Sequence, residues 1–533
     1  MAESIISPGV YTRENDISFI QPAPIQAGAA FVGPTVKGPD NQPLVVTSYS
    51  DYVRKFGETV TSGSKQFEFL TSVAVKNYFQ NGGQTALVTR IISGAYTPAT
   101  STFISASAKP GTQPFTLETL GEGVLYNNAS SSLTAISGAA SYINSDGSLV
   151  SGSADNVRWE VANVNNALGT FSVLIRQGDD STNNKAILET FNVNLDPNSD
   201  NYIEKVIGNQ YNTVATDGST SYNYRVGEYP NASNYIRVSA VNLPTNYYLA
   251  NDGITVNRDA AGVSYSGSLP QSGSGSFFNA QGAIKAGATF FGAIGNTSGE
   301  AQGLVPGNYT TALSLLANKD EYQFNIVSTP GLLYNAGFTS TVNSFIALAE
   351  DRGDCIAVVD LVTTGSLVST VTTQAASLNS SYAATYWPWL QIQSATGRNE
   401  YVPAGTVIPG VYAFTDASSA PWFAPAGLVR GGIGGVIQAE RKLTKGDRDT
   451  LYSAKVNPIA TFPGSGISVF GQKTLQTKAS ALDRVNVRRL LIELKKFIGD
   501  QARNLVFEQN TIATRNKFLA TVNPYLESVV QRQ

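Results

Sequence analysis

The sequence predicts a multidomain α+β or α/β protein: an inner mixed α/β core formed by the N- and C-terminal portions, with β-rich domains inserted between them. Three observations carry this reading. The 533 residues exceed the usual reach of one hydrophobic core. A 42% hydrophobic and 10% aromatic content supports packed cores, while 49 glycines, 23 prolines and only 14% charged residues indicate many turns and strands. Strand and helix signals alternate at both ends of the chain, whereas the middle carries short alternating strands. We therefore place an extended N-terminal arm at 1–26, a discontinuous core at 27–94 and 316–533, an inserted β domain at 95–156 and a second β-rich insertion at 157–315.

Ala29 to Gly33 reads as a short buried strand stopped at Pro34, and Leu44 to Thr47 as another. From Gln66 to Gln80, Phe67, Leu70, Ala74 and Tyr78 recur at helical spacing, and Asn81-Gly82-Gly83 terminates the run. Ala86 to Ile91 resumes as a strand. Between Ala95 and Asn156, Ser, Thr, Ala and Gly dominate, fitting an inserted β domain or a set of long loops. Beyond it Phe171, Val173 and Ile175 alternate, as do Phe191, Val193 and Leu195, and Tyr235 to Val238 follows a turn at Tyr229-Pro230-Asn231. The core returns with a strand at Phe324–Val327 ended by Thr329-Pro330-Gly331. A helix stripe at Val342, Phe345, Ile346 and Ala349 is ended by Gly353, and a buried strand follows at Ile356–Val359. Strand, helix and strand of these lengths make a βαβ crossover.

A late helix is expected from Ala481 to Phe507, with Ser480 and Asp483 as cap and capping partner. Val487, Leu490, Leu491, Leu494, Ile498, Ala502 and Leu505 form its apolar stripe, leaving a basic face outward. Residues 430–503 carry 14 Lys and Arg against 6 Asp and Glu, a local charge of +8 in a chain of net −3. Such segregation favours an acidic partner for this region.

Composition also excludes. Net charge −3 gives no basic excess for a phosphate backbone, so nucleic acid is not an expected partner. With no histidine, the chain cannot build a Ser-His-Asp or Cys-His arrangement or an HExxH zinc site. A glycosidase using two carboxylates remains chemically open, yet no paired-acid motif stands out. The residues from Met1 to Phe19 lack a secretory apolar run, and no stretch of 18 apolar residues exists for a spanning helix. Cys355, in an apolar run, reads as a buried small hydrophobe rather than a reactive thiol. Tyr386-Trp387-Pro388-Trp389 reads as core anchors in preference to a carbohydrate or base-stacking platform. Gly431 to Gly435 lacks the GxGxxG spacing of a dinucleotide loop. Asp351, Asp354 and Asp360 flank a strand rather than form a cation site. No cofactor, metal or catalytic residue is assigned, and catalysis is not expected.

Several segments, taken together in order, carry a family signature. They are Ser7-Pro8-Gly9-Val10-Tyr11 with Glu14; Phe31 to Pro34 with Lys37-Gly38-Pro39 and Phe56-Gly57; Tyr78 to Gly83 leading to Arg90; Leu195 to Asn198 with Asn201-Tyr202; Tyr382 to Trp389; Pro403 to Gly410; Trp422 to Gly427 with Arg430-Gly431; and Asn486 to Leu490 through Glu508-Gln509-Asn510 to Tyr525-Leu526. The set resembles the tail sheath family of contractile bacteriophages and related injection machines. That resemblance implies a structural subunit that stacks as six-subunit rings around a tail tube, meets baseplate and tail terminator proteins, and contracts to drive the tube through a bacterial envelope. It implies a virion protein assembled in the host cytoplasm, with no membrane insertion. A baseplate or fibre-type receptor-binding protein is the alternative. Under the sheath reading, Arg484, Arg488, Arg489, Lys495, Lys496 and Arg503 face an acidic tube, or else form a solvated charged face; reversal of Arg488 and Lys495 is expected to spare the fold. Family members continue past the equivalent of Tyr525-Leu526 into a strand-bearing tail, whereas this sequence stops at Gln533. Strand exchange between subunits is then expected from the N-terminal arm, at Pro8, Gly9, Val10 and Tyr11.

Overall fold

The computed structural model describes residues 25–62, 65–109, 111–123, 143–150, 152–218, 220–280 and 302–532. Pro8, Gly9, Val10 and Tyr11, and most of the arm expected at 1–26, lie outside the described residues.

Strands from both ends of the chain hydrogen-bond into one eight-stranded core sheet. Its order is Pro43–Val46, Ala86–Arg90, Ile25–Gly33, Tyr322–Leu333, Ile356–Asp360, Ala383–Trp387, Asn457–Phe462 and Gly466–Val469. Its central strands are parallel, and the strand at each edge is antiparallel. Side chains of a strand alternate between faces, and here both faces are covered, which is why these strands read as continuous apolar runs. Ala29, Phe31, Ile326, Ile356 and Val358 enter one hydrophobic cluster, and Ala30, Val32, Val327, Ala357 and Val359 the other. Helices Leu70–Gln80 and Ile408–Ser418 supply the first cluster, and Thr339–Arg352 the second. The last of these buries Val342, Phe345, Ile346 and Ala349 and ends at Gly353, whose φ of +69° is the left-handed conformation a glycine adopts without a Cβ clash.

The middle of the chain forms a seven-stranded antiparallel sheet. Its order is Ile187–Asn194, Thr170–Gln177, Val157–Asn165, Gly273–Phe278, Pro98–Ser101, Phe115–Glu122 and Ile236–Val241. It has its own apolar cluster, in which Phe115 and Phe171 stack at 5.5 Å around Trp159, Val173, Ile175 and Phe277. A boundary at residue 156 divides this one sheet: Gly273–Phe278 pairs with Val157–Asn165 on one side and with Pro98–Ser101 on the other. Pairing over such sequence distances leaves no trace in local periodicity, so the expected separation of 95–156 from 157–315 does not follow the hydrogen bonding.

Three element boundaries also differ from the expectation. Lys65–Glu68 is a strand paired with Thr59–Ser62, and the helix begins at Leu70, because period-two and helical readings coincide over so short a run. The strand expected at Phe324–Val327 extends over Tyr322–Leu333. Its turn residues sit in a register shift between Ser328 and Leu333, with Gly331 at φ +86°. The buried Gln302 side chain satisfies this irregular stretch, donating from Nε2 to Pro330 O at 3.0 Å and accepting from Leu70 N at 2.9 Å. Finally, the late helix is split. Ser480 caps a short 3₁₀ turn at Ala481–Asp483, Arg484 is extended, and the α-helix runs from Val485 to Arg503.

Candidate functional site: the late basic helix

The helix Val485–Arg503 is fixed at its start. Val485 N donates to Gln472 O at 2.9 Å, and Thr474 Oγ1 donates to Leu482 O at 3.0 Å. Residues three or four apart share a helix face, so Arg488, Ile492, Lys495, Lys496, Gly499 and Arg503 lie along one stripe. Arg488 and Ile492 are buried on the core sheet; Lys495, Gly499 and Arg503 are exposed, and Lys496 is half-buried. One basic stripe therefore serves the core in its first half and meets solvent in its second.

Arg488 and Arg489 correct the expected outward basic face. Arg489 pairs with Asp416 at 2.5 Å and lies 4.8 Å from the Tyr412 ring centroid, over a contact in which the Tyr386 and Tyr412 hydroxyls approach to 2.5 Å. Burial opposes its charge, but Asp416 outweighs that and holds the guanidinium above its ordinary pKa. Arg488 lies 4.0 Å from the Tyr382 ring centroid and donates to Ser381 Oγ, and burial lowers its pKa. Both arginines are packing residues, so charge reversal at Arg488 would strike the fold itself. Arg484 donates to the Tyr452 hydroxyl and pairs with Asp483 at 3.3 Å. Arg503 pairs with Asp320 at 2.9 Å across the surface. Lys495 and Lys496 remain as cations in the projecting half. The partners Asp416, Ser381 and Tyr382 come from distant segments and had no spacing signal that could reveal them.

The apolar stripe Val487, Leu490, Leu491, Leu494, Ile498, Ala502 and Leu505 is half-buried throughout. Part of it receives the last helix, Ile512–Gln531, through Leu490, Leu494 and a Phe497–Tyr525 stack at 3.9 Å. Val529 meets Trp422 and Ala420 in the same cluster.

The other eye-catching groups resolve as packing. Tyr386, Trp387 and Trp389 are buried, and Trp389 Nε1 donates to Val362 O at 2.9 Å. Cys355 is buried and its thiol is pushed up to about 12. Asp354 is the partner of Arg352, and Asp360 accepts from Gly405 N at 2.8 Å. Among the described residues no cluster of His, Cys, Asp or Glu could hold a metal ion, and no helix is long and apolar enough to cross a membrane.

Residues 303–475 match the family model described as the phage tail sheath protein central domain. The tail sheath protein of Vibrio phage KVP40 is 42% identical over 139 residues, covering 26% of this chain and 21% of that protein. A central segment of the chain is thus similar to contractile phage tail sheath proteins. The tail sheath protein of Enterobacteria phage T4 is 38% identical over 129 residues, 24% of this chain and 20% of that protein. The matched segment thus spans about a fifth of the length of these curated sheath relatives. A crystal structure of the sheath tail protein from Listeria innocua shares the fold at a TM-score of 0.52 and 10% identity, covering 95% of this chain and 85% of that one. Within the sheath family segment lie the core strands from Tyr322–Leu333 to Gly466–Val469, and it stops short of the late helix at Val485.

Proposed function

We propose that this chain is a structural subunit of a contractile tail sheath. In this reading it polymerises as stacked six-subunit rings around a tail tube, engages baseplate and terminator proteins at the ends, resides in the virion tail after assembly in the host cytoplasm, and contracts to drive the tube through a bacterial envelope. The observation that carries the reading is the sheath central-domain match over residues 303–475. Charge segregation supports it: the basic region 430–503 on one copy is complementary to the acidic remainder of another. Contact between two different patches of identical subunits repeats into rings or helical filaments. Work then comes from exchanging one set of contacts for a better one while each sheet stays rigid. A gain of a few hundred Å² of apolar burial per subunit is worth on the order of several kcal/mol at about 25 cal/mol/Å², and many copies act together. The chain works by assembly, and catalysis has no part in it. The N-terminal arm, with Pro8, Gly9, Val10 and Tyr11, is the proposed strand donor between subunits.

For tube contact the reading now rests on Lys495 and Lys496, with Arg484 and Arg503 at the two ends of the helix. Electron microscopy of the chain expressed with its tube partner tests the function: striated cylinders are expected, and discrete closed oligomers would overturn it. Lys495→Glu with Lys496→Glu is expected to reduce decoration of tubes, most strongly at low salt, with an unchanged thermal midpoint. Undiminished decoration by that variant would remove the tube assignment and leave the sheath reading intact.

A further inference from the structure

Between Ile203–Ile207 and Ile236–Val241 of the inserted unit, the chain forms a two-stranded ribbon, Tyr211–Asp217 paired with Thr220–Val226. β-Branched and aromatic residues populate both strands, and Gly218, at φ +61°, turns the chain after Asp217. Strand side chains alternate between faces, so Ser221 and Asn223 share one face, half-buried, while Tyr222 and Tyr224 stand exposed on the other. The ribbon pairs with neither large sheet and gives no side chain to the three apolar clusters of those sheets. An isolated two-stranded ribbon is marginally stable in water, so its neighbours hold it in place.

Its base is fixed to the inserted unit. Asn209 Oδ1 accepts from Glu228 N and Tyr229 N, each at 2.9 Å, Val238 N donates to Gly208 O at 2.8 Å, and the Arg237 guanidinium lies 4.1 Å from the Tyr211 ring centroid. From that base the ribbon reaches along the core. Asn212 O accepts from Gln42 Nε2 at 2.9 Å, Ser221 N donates to Ser314 Oγ at 2.7 Å, and Asn223 Nδ2 donates to the Tyr322 hydroxyl. Gln42 precedes Pro43, which lies opposite Thr89 near the end of Ala86–Arg90, whereas Tyr322 opens Tyr322–Leu333 opposite Ile25. The grip near the base and the grip near the tip therefore sit at opposite ends of the core strands. Each ribbon strand has 7 residues, enough to span about 20 Å at the usual rise.

Other contacts between the two units gather at one end. Lys37 Nζ lies 3.4 Å from Asp155 Oδ1, Asp40 N donates to Glu122 Oε2 at 3.3 Å, and Arg90 donates to Glu122 O at 3.3 Å. These core residues lie near Gly33 and Arg90, where the chain crosses into the inserted sheet. Attachment at one end leaves two bodies free to turn about it, and a second attachment at a distance removes that freedom. A cleft of about 620 Å³, walled by the ribbon base, by the core at Gln42 and Arg54 and by the inserted strand at Glu118, leaves room for such turning.

We propose that the ribbon 211–226 is a strap: anchored on the inserted sheet, it grips the core at Ser314 and Tyr322 and so sets the angle between the two units. Released from those contacts, the inserted sheet turns about the end marked by Lys37 and Arg90, with both sheets still folded. The strap is a property of the single chain and holds with or without the sheath reading.

Cys355 is the chain's only cysteine and is buried, so spin labels can be placed on Thr190→Cys in the inserted sheet and Ala347→Cys in the helix Thr339–Arg352, both exposed positions. Double electron–electron resonance on the full-length chain is expected to give a narrow distance distribution. Removing the grip with Gln42→Ala, Asn223→Ala and Ser314→Ala together is expected to widen it about twofold or more. Excision of 212–225, closed by Asn-Gly between the paired Tyr211 and Val226, is expected to widen it as much. Amide protection across Thr170–Gln177 and Ile356–Asp360 should stay as in the parent, which separates turning from unfolding. A distribution already wide in the parent overturns the strap, as does one that stays narrow in both variants. Widening accompanied by lost protection in either sheet overturns it too.

Discussion

Asp360 is the most consequential single acid of the core. It ends the strand Ile356–Asp360, is fully enclosed, and burial pushes it up to about 7 against the one hydrogen bond from Gly405 N. The void beside it, shared with Thr385 and Trp387, is only about 10 Å³, too small to solvate an ionised carboxylate well. Because the folded value is raised, its contribution is full below the unfolded value near 3.8 and is lost as pH rises through about 7. Asp360→Asn keeps the acceptor for Gly405 N and removes the charge. We expect urea unfolding to move in favour of this variant, relative to wild type, by on the order of 1–3 kcal/mol between about pH 5 and about pH 8.5. The buried arginines are the counterpart. Arg489 anchors Asp416, which keeps some exposure, so truncation of Arg489 is expected to cost about 1–3 kcal/mol, below the range for breaking a fully buried pair. At this scale the sequence was least informative. It marked Arg488 and Arg489 as basic and helical, but which side of the stripe meets the sheet depends on Asp416, Tyr412 and Tyr382, which reach the helix only after folding.

Among the elements, those whose local chemistry and burial agree were legible. The helix Thr339–Arg352 has its apolar stripe, its glycine stop and a parallel strand on each side, and the structure has it where the spacing predicts. The late helix was legible as a helix, but its start moved to Val485, because Ser480 caps a 3₁₀ turn and Arg484 breaks the run. Its apolar stripe is served unevenly: the last helix covers only part of it and itself leaves Leu519 and Val530 exposed. Few buried side chains, Val522 and Val529 with the half-buried Tyr525, hold that helix down. Phe497→Ala removes the stacked partner of Tyr525 and is expected to cost about 1–2 kcal/mol of local stability. The check is proteolysis and amide exchange: residues 512–531 should open sooner in the variant, with Tyr322–Leu333 unchanged.

At the scale of the whole molecule, two apolar clusters flank the core sheet and a third belongs to the inserted sheet, with polar contacts such as Asp40 N to Glu122 Oε2 and Lys37 to Asp155 between them. Sheets with separate cores and a polar junction unfold separately unless the junction couples them. Calorimetry of the full chain is accordingly expected to resolve two transitions; a single transition with equal calorimetric and van't Hoff enthalpies would contradict this. The amino-acid sequence by itself determined the α/β character of the two chain ends, the β character of the middle, the burial of Cys355 and the Tyr386–Trp389 segment, and the resemblance to sheath proteins. These follow from local periodicity, from the hydrophobicity of doubly covered strands, and from short motifs kept in order. Tertiary structure alone decided that strands on both sides of residue 156 share one sheet, that a strand runs through Thr329-Pro330-Gly331, and that two arginines of the basic helix turn inward. Each of those depends on partners tens to hundreds of residues away, and only the folded chain brings such partners within hydrogen-bonding distance.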